Sequence, residues 1–416
     1  MFKYIILLLC LLITIAIIIT LTRNDSSESS IVSPKILEIQ SIDTMKLSRD
    51  IAREKLNDPS YNIDIDTQVS NIAATGATHI ALGTPYDDEF IPFLKRWVTA
   101  ARKYELNVWY RGNMAGWEGW FDYPRIDRQT HKQQIVRFIL NNPDIFEDGD
   151  LFSSCPECEN GGPGDPRMNN DLKGHRTFII EEYEEVKKAF ATIDKDVQSN
   201  LFSMNGDVAE LVMDRETTAA LDGIVTIDHY VKEPERLIKD IRRIHKHSGG
   251  NIVLGEYGAP IPDIHGNMSD EEQAAWIRES LDLIAQEKSV IGINYWVNQG
   301  GSTRIWSDTY EPLPAVTALN NVFKPKILTG TVTRPSGRPI SEITIQSKYF
   351  QTVTSNEKFN IPVIDEETIE FDKNRYIKQR IYVPDDSTEV YVIMQPSSYS
   401  FSDVLADFIF KLNPFR

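Results

Sequence analysis

The sequence predicts an eight-stranded β/α barrel over residues 35–325 and a small β-sandwich over 326–416, preceded by one transmembrane helix (1–23) and a polar linker (24–34). Three observations carry this fold class. Eight short apolar, β-rich runs alternate with amphipathic stretches, the pattern of a sheet covered by helices. No glycine-rich turn follows the first run, as a doubly wound dinucleotide-binding sheet would require. Beyond residue 325 the helical periodicity stops and short alternating strands separated by turn residues take over.

The apolar stretch at residues 4–22 is rich in Leu and Ile, and a bilayer crossing takes roughly 20 such residues. It lacks the short apolar region and small-residue cleavage site of a secretory signal, so an uncleaved anchor is favoured over a cleaved leader. Either places the remainder of the chain outside the cytoplasm, at the cell surface or in a periplasm. In order, the strand runs are 35–40, 79–83, 106–111, 150–154, 197–204, 223–228, 251–256 and 291–297. Between them, apolar residues recur three and four apart over 90–104, 177–193, 234–247 and 270–286, which gathers them on one helical face. In the last part, strands are read from 328, 343, 349, 358 and 389, and the apolar segment 401–410 reads as a short helix packed on that domain.

Composition narrows the functional classes. With 41% hydrophobic and 25% charged residues, the chain is neither disordered nor a polytopic membrane protein. A formal net charge of -17 argues against nucleic-acid binding, which needs clustered cations. The cysteines outside the apolar stretch, Cys155 and Cys158 in Cys-Pro-Glu-Cys, are too few for a structural zinc site. In an exported chain they are expected to close a small disulfide loop. The His-x-His at His245-Lys-His247 falls at a helix end, not at a strand end. Neither a metal nor a cofactor is therefore expected.

In a β/α barrel, chemistry sits at the carboxyl ends of the strands. The seventh ends in Gly255-Glu256-Tyr257-Gly258, a carboxylate closing a buried strand, costly unless it is paired or functional. The fourth leads into Cys155-Pro-Glu-Cys-Glu-Asn-Gly-Gly, where Glu157 and Glu159 share parity. Glycosidic cleavage needs two carboxyl groups, one protonated and one ionised. Arg111 leaves the third strand where a partner for a carboxylate belongs. Trp117 and Trp120 follow on a glycine-rich loop and are expected to be exposed, as binding-surface aromatics are. Asn205 and Asp207 follow the fifth strand at the same mouth.

These strand ends resemble those of the clan A glycoside hydrolases, the group containing cellulases and mannanases, over about residues 35–322. The resemblance implies an acid/base Glu after strand four and a nucleophile Glu on strand seven, hence a retaining mechanism. Glu256 matches the nucleophile strand. Aligning Phe152-Ser-Ser-Cys-Pro-Glu with the group's Asn-Glu-Pro puts Glu157 at the acid/base position. Pro156 then replaces the usual Asn, which leaves Glu159 as a rival and Asn160 as a candidate replacement for the amide. Asp228-His229-Tyr230 resembles the His and Tyr beside the group's nucleophile, and Trp296 resembles its sugar platform. The opening of the last domain, Gly330-Thr-Val-Thr and Ser336-Gly-Arg-Pro-Ile, resembles carboxypeptidase-regulatory-like sandwiches. The expected function is retaining hydrolysis of a β-linked polysaccharide or oligosaccharide. The alternative is a non-catalytic glycan-binding or envelope-scaffold protein on a decayed barrel.

Overall fold

The computed structural model describes residues 37–364, 366–384 and 386–412. The expected transmembrane helix and linker lie outside these residues. Among the described residues no helix is long and apolar enough to cross a membrane.

Eight parallel strands form one curled sheet: β1 (Ile39–Asp43), β2 (His79–Leu82), β3 (Asn107–Tyr110), β4 (Leu151–Phe152), β5 (Ser203–Asn205), β6 (Ile224–Asp228), β7 (Asn251–Tyr257) and β8 (Val290–Tyr295). Their order is β4-β3-β2-β1-β8-β7-β6-β5. The two ends of this row meet through a parallel bridge from Leu151 to Gln198, just before β5, so the sheet is barrel-like. Helices cover its outside: α1 (Asn62–Ala74), α2 (Ile91–Lys103), α3 (Arg128–Asn141), α4 (Leu172–Thr192), α5 (Gly206–Val212), α6 (Pro234–Ser248), α7 (Asp270–Gln286) and α8 (Pro314–Phe323). Each turns its apolar stripe inward, as Phe93, Leu94, Trp97 and Ala101 do on α2.

The strands differ most from expectation in three places. The first strand runs 39–43 rather than 35–40, because Gln40 and Ser41 are buried strand residues despite their polarity. The Gln40 side-chain amide N–H groups donate there to the carbonyls of Gly76 and Phe323. The fourth pairs over two residues only, and the fifth over Ser203–Asn205 rather than 197–204. Inside the sheet, Ile39, Ala81, Trp109, Leu151, Leu201, Ile224 and Val253 form a separate apolar cluster, a packed floor beneath the carboxyl ends.

The last part holds two small sheets. One has the order β12-β9-β15, from β9 (Lys326–Thr333), β12 (Lys358–Val363) and β15 (Glu389–Ile393). The other is β11-β10-β13-β14, from β10 (Thr344–Gln346), β11 (Gln351–Val353), β13 (Glu367–Asp372) and β14 (Gln379–Val383). Residues of both share a core distinct from that of the large sheet, including Leu328, Val332, Ile345, Phe359, Ile361, Phe371 and Val392. The expected terminal helix is present as α9 (Phe401–Lys411), but it packs the other way round. Its buried residue is Asp407, paired with Arg334 and Arg338, while Phe401, Val404, Phe408 and Ile409 face outward.

Candidate active site

Side chains on a strand alternate faces, so Arg111, two residues beyond the floor residue Trp109, points into the curled sheet above it. The same parity carries Asp43 up from Ile39 and Asp228 up from Ile224. The three meet. Arg111 Nη1 donates to Asp43 Oδ2 at 2.9 Å and to Glu256 Oε1 at 3.2 Å. Its Nη2 donates to Asp228 Oδ2 at 3.1 Å and to Ser203 Oγ at 3.2 Å. Asn294, on β8, donates to Asp43 and to the Gly255 carbonyl, both at 2.9 Å. All these groups are buried, so the guanidinium is the local counter-charge for a cluster of carboxyls.

Glu256 reaches this network because β7 carries a bulge. Ile227 pairs with Leu254, but Asp228 pairs with Glu256, leaving Gly255 as the extra residue. The bulge turns Glu256 inward where strict alternation from Val253 would turn it out. Position 255 also has no room for a side chain, since a Cβ there would lie 2.4 Å from Asp228 Oδ1. The glycine is therefore fixed by the close approach of the Asp228 carboxyl.

Tyr230 donates from its hydroxyl to Glu256 Oε2 at 2.9 Å. Burial pushes Glu256 up to about 7, with Arg111 pulling the other way, Glu157 and Asp43 adding to the rise, and Tyr230 opposing it. Burial raises the Asp228 carboxyl well above its ordinary value, with Arg111 pulling the other way and the charges of Glu256 and Glu157 adding to the rise.

Glu157 stands on the loop after β4 and lies against the same group. One carboxylate oxygen from each of Glu157, Asp228 and Glu256 falls within 4.8 Å of the others. Three such carboxylates could share a cation, and the Arg111 guanidinium already lies against two of them. Burial first, and Glu159 second, hold the Glu157 carboxyl above its usual range, while Arg111, Arg49 and an Asn160 hydrogen bond oppose this. Glu159 turns elsewhere. Its Oε1 accepts from the backbone and side-chain amides of Asn205 at 2.8 and 3.1 Å, and burial raises it too. Asn205 is thus occupied with Glu159, and Asp207 pairs with Arg167.

The remaining expected residues divide. Trp296 is half-buried at the end of β8, with its ring edge-on to Tyr230 at 6.1 Å and Lys46 Nζ 5.9 Å above it. His229 turns back toward α6, with Nε2 3.2 Å from Asp240; only its backbone amide reaches the Glu256 carbonyl. Trp117 is a correction. Expected on an exposed loop, it is buried, stacked on Phe178 at 5.1 Å, and donates its indole N–H to the Cys158 carbonyl at 3.2 Å. Its neighbour Trp120 is half-buried beneath the Arg49 guanidinium, 4.7 Å from the ring centre.

Sequence reasoning missed Asp43, Asn294 and Glu118. Asp43 was legible only to a reader who let the first strand run through Gln40 and Ser41. Glu118 follows Trp117 and lies near enough to Glu157 to feel its charge. Asn113 donates to Glu118 Oε1 at 2.7 Å, and its Oδ1 stands 2.7 Å from His131 Nε2. His131 Nδ1 in turn lies 2.9 Å from the buried Glu182. Burial pushes Glu118 up to about 7; the Asn113 hydrogen bond lowers it and the charge of Glu157 raises it.

A carboxyl raised by folding favours the fold while protonated, and that stability is lost as pH rises through the folded value. Glu118→Gln is therefore expected to gain about 2 kcal/mol over the parent at pH 8.5 relative to pH 5 in urea denaturation. An identical difference at both pH values would contradict this account of Glu118.

No family model and no curated protein sequence matches the chain. Solved structures do resemble it. A GH5_18 protein from Streptomyces cattleya in complex with GlcNAc aligns with a TM-score of 0.53 at 12% identity, covering 72% of this chain and 84% of that one. Xylanase 10B from Thermotoga maritima aligns at 0.47 and 12% identity, over 70% and 96% of the two chains. Beta-glucuronidase 2 from Bacteroides uniformis aligns at 0.48 and 11% identity, over 85% of this chain and 46% of its own. The chain thus spans about half the length of that glucuronidase. At these identities the likeness is one of fold.

Proposed function

We propose that this chain is a retaining glycoside hydrolase acting on a β-linked glycan outside the cytoplasm, with Glu256 as nucleophile and Glu157 as acid/base. The observation that carries the reading is the Glu157–Glu256 pair, whose facing oxygens lie within 4.8 Å at the carboxyl ends of the sheet. Retaining glycosidases hold their two carboxyl groups roughly 5–5.5 Å apart, whereas inverting ones leave room for a water. Glu157 rather than Glu159 fills the acid/base role, because Glu159 is turned to Asn205.

The electrostatics support this division of labour. Two buried carboxyls at this distance share one proton near neutrality. The direct hydrogen bonds from Arg111 and Tyr230 stabilise the ionised form of Glu256 against the burial that raises it, and in the proposed division of labour the shared proton resides on Glu157. Glu157 then protonates the departing glycosidic oxygen as Glu256 attacks the anomeric carbon. In the second step Glu157, now ionised, takes a proton from the water that releases the sugar. Trp296 presents an aromatic edge of the mouth for stacking against a pyranose. Arg111 acts as a positioning residue beneath the nucleophile.

The apolar stretch at residues 4–22 supports a membrane anchor with the catalytic part outside, and a disulfide between Cys155 and Cys158 suits that oxidising setting. The two small sheets are read as a carboxypeptidase-regulatory-like sandwich serving as a spacer or glycan-contacting module.

The test is hydrolysis of a panel of β-linked glycans by the wild-type chain, with Glu157→Gln and Tyr230→Phe alongside. Glu157→Gln is expected to lose roughly 10²- to 10⁴-fold in kcat/KM on unactivated substrates. Tyr230→Phe removes a donor to the carboxylate, which raises Glu256 further and moves the acidic limb of the kcat/KM profile to higher pH. Its rate is expected to fall about 10- to 100-fold, the worth of one hydrogen bond to a charged group. Glycan binding without cleavage across the panel would reject the catalytic reading.

A further inference from the structure

The two cysteines of Cys-Pro-Glu-Cys have no part in the mechanism above, yet they enclose the residue on which that mechanism depends. Cys155 and Cys158 form a disulfide, and Glu157 lies inside the ring they close. Both cysteines are buried, whereas Glu157 is only partly so. The carboxyl is therefore delivered to the mouth from a covalently closed, buried turn.

The turn is thinly paired to the sheet. The strand before it pairs over Leu151–Phe152 alone, and Ser153 adds a last sheet hydrogen bond to the Tyr110 carbonyl. Glu157 then adopts φ 47° and ψ 47°, a left-handed conformation uncommon for a residue with a side chain. Its backbone N–H donates to the Ser203 carbonyl at 2.7 Å, and its carbonyl accepts from Asn160 at 2.8 Å. Around the ring, the Asn113 amide approaches Cys155 Sγ at 3.9 Å, and the Trp117 indole holds the Cys158 carbonyl. Gly161 and Gly162 continue over the Trp117 ring so closely that a Cβ on either would collide with it.

We infer that the Cys155–Cys158 disulfide is the positioning element for Glu157, holding its left-handed turn so that the carboxyl stays opposite Glu256. The inference rests on the reading of Glu157 as acid/base. An open ring leaves the turn free to relax toward ordinary backbone conformations, and the carboxyl then withdraws from the glycosidic oxygen it must protonate. Opening the ring needs a dithiol reductant: the protein disulfide takes two electrons and two protons to give two thiols, and the reductant becomes a cyclic disulfide.

Leaving-group chemistry separates a positioning role from a merely structural one. A 2,4-dinitrophenolate departs without protonation, whereas a sugar alkoxide requires it. The experiment compares kcat/KM on 2,4-dinitrophenyl β-glycosides of xylose, glucose, mannose and glucuronic acid with kcat/KM on the β-linked glycans cleaved in the panel. The full chain is assayed oxidised, after dithiothreitol treatment, and as Cys155→Ala/Cys158→Ala, with melting temperatures recorded and Glu157→Gln in parallel.

The expected result is a roughly 10²-fold loss on the glycans and less than about 3-fold on the dinitrophenyl glycosides in both ring-opened forms, as in Glu157→Gln. Equal losses on both substrate classes with a lowered melting temperature would overturn the inference in favour of simple structural support. Unchanged rates on both classes would overturn it as well. If Glu157→Gln itself shows no leaving-group dependence, the acid/base reading fails. If Glu157→Gln shows it and the ring-opened forms do not, only the positioning role falls.

Discussion

Glu256→Gln is expected to lower kcat/KM by roughly 10⁵-fold or more on every substrate, activated or not, because no leaving group compensates for a missing nucleophile. This separates it from Glu157→Gln, whose deficit shrinks with good leaving groups. The substitution should leave the fold intact and make it sturdier in alkali. Burial holds the Glu256 carboxyl up at about 7, so its contribution to stability is lost as pH rises through that value. An amide does not ionise. Denaturation at pH 8.5 should therefore find the variant at least as stable as the parent, and a marked loss of stability there would mean that the Arg111–Glu256 contact outweighs the burial cost.

Arg111→Met is the converse case. It leaves Asp43, Asp228 and Glu256 buried without the guanidinium that now lies 2.9 to 3.2 Å from each. Removing one member of a buried ionic cluster typically costs about 3–5 kcal/mol, because the orphaned charges cannot reach water. The cost has a pH sign. Without the cation, the folded values of Asp228 and Glu256 rise further, so the loss is greatest above neutrality and shrinks at pH 5, where protonation relieves it. Urea denaturation at pH 5 and pH 8.5 checks this, and an equal loss at both would contradict the charge account. Activity should fall too, since Glu256 would be protonated at neutral pH.

Much of this was legible in the sequence, and the reasons are specific. The order of strands follows from apolar runs spaced by amphipathic helices, and Glu256 stood out because a carboxylate closing a buried strand is costly. Tyr230 fell beside it as the resemblance implied. What the sequence hid is what three-dimensional proximity alone creates. Gln40 and Ser41 look like a strand end, yet they are buried inside β1, and this concealed Asp43. Trp117 looked exposed because its loop is rich in glycine, but Gly161 and Gly162 of the loop after β4 pack onto its ring. The bulge at Gly255 reverses the facing of Glu256, and strand periodicity alone would point it outward. The outward apolar face of α9 was missed for a similar reason: the Arg334 and Arg338 partners of its acidic face lie on a different segment.

The central claim, a covalent intermediate on Glu256 formed with Glu157 opposite, is tested most directly by trapping that intermediate. The full chain is incubated with activated 2-deoxy-2-fluoro β-glycosides of the sugars that the panel identifies as substrates. Intact mass and peptide mapping then locate any adduct. The account predicts one fluoroglycosyl group per chain, bound through an ester to Glu256 and absent from Glu256→Gln. An adduct on another residue, or hydrolysis that first releases the inverted anomer and leaves no adduct, would contradict it.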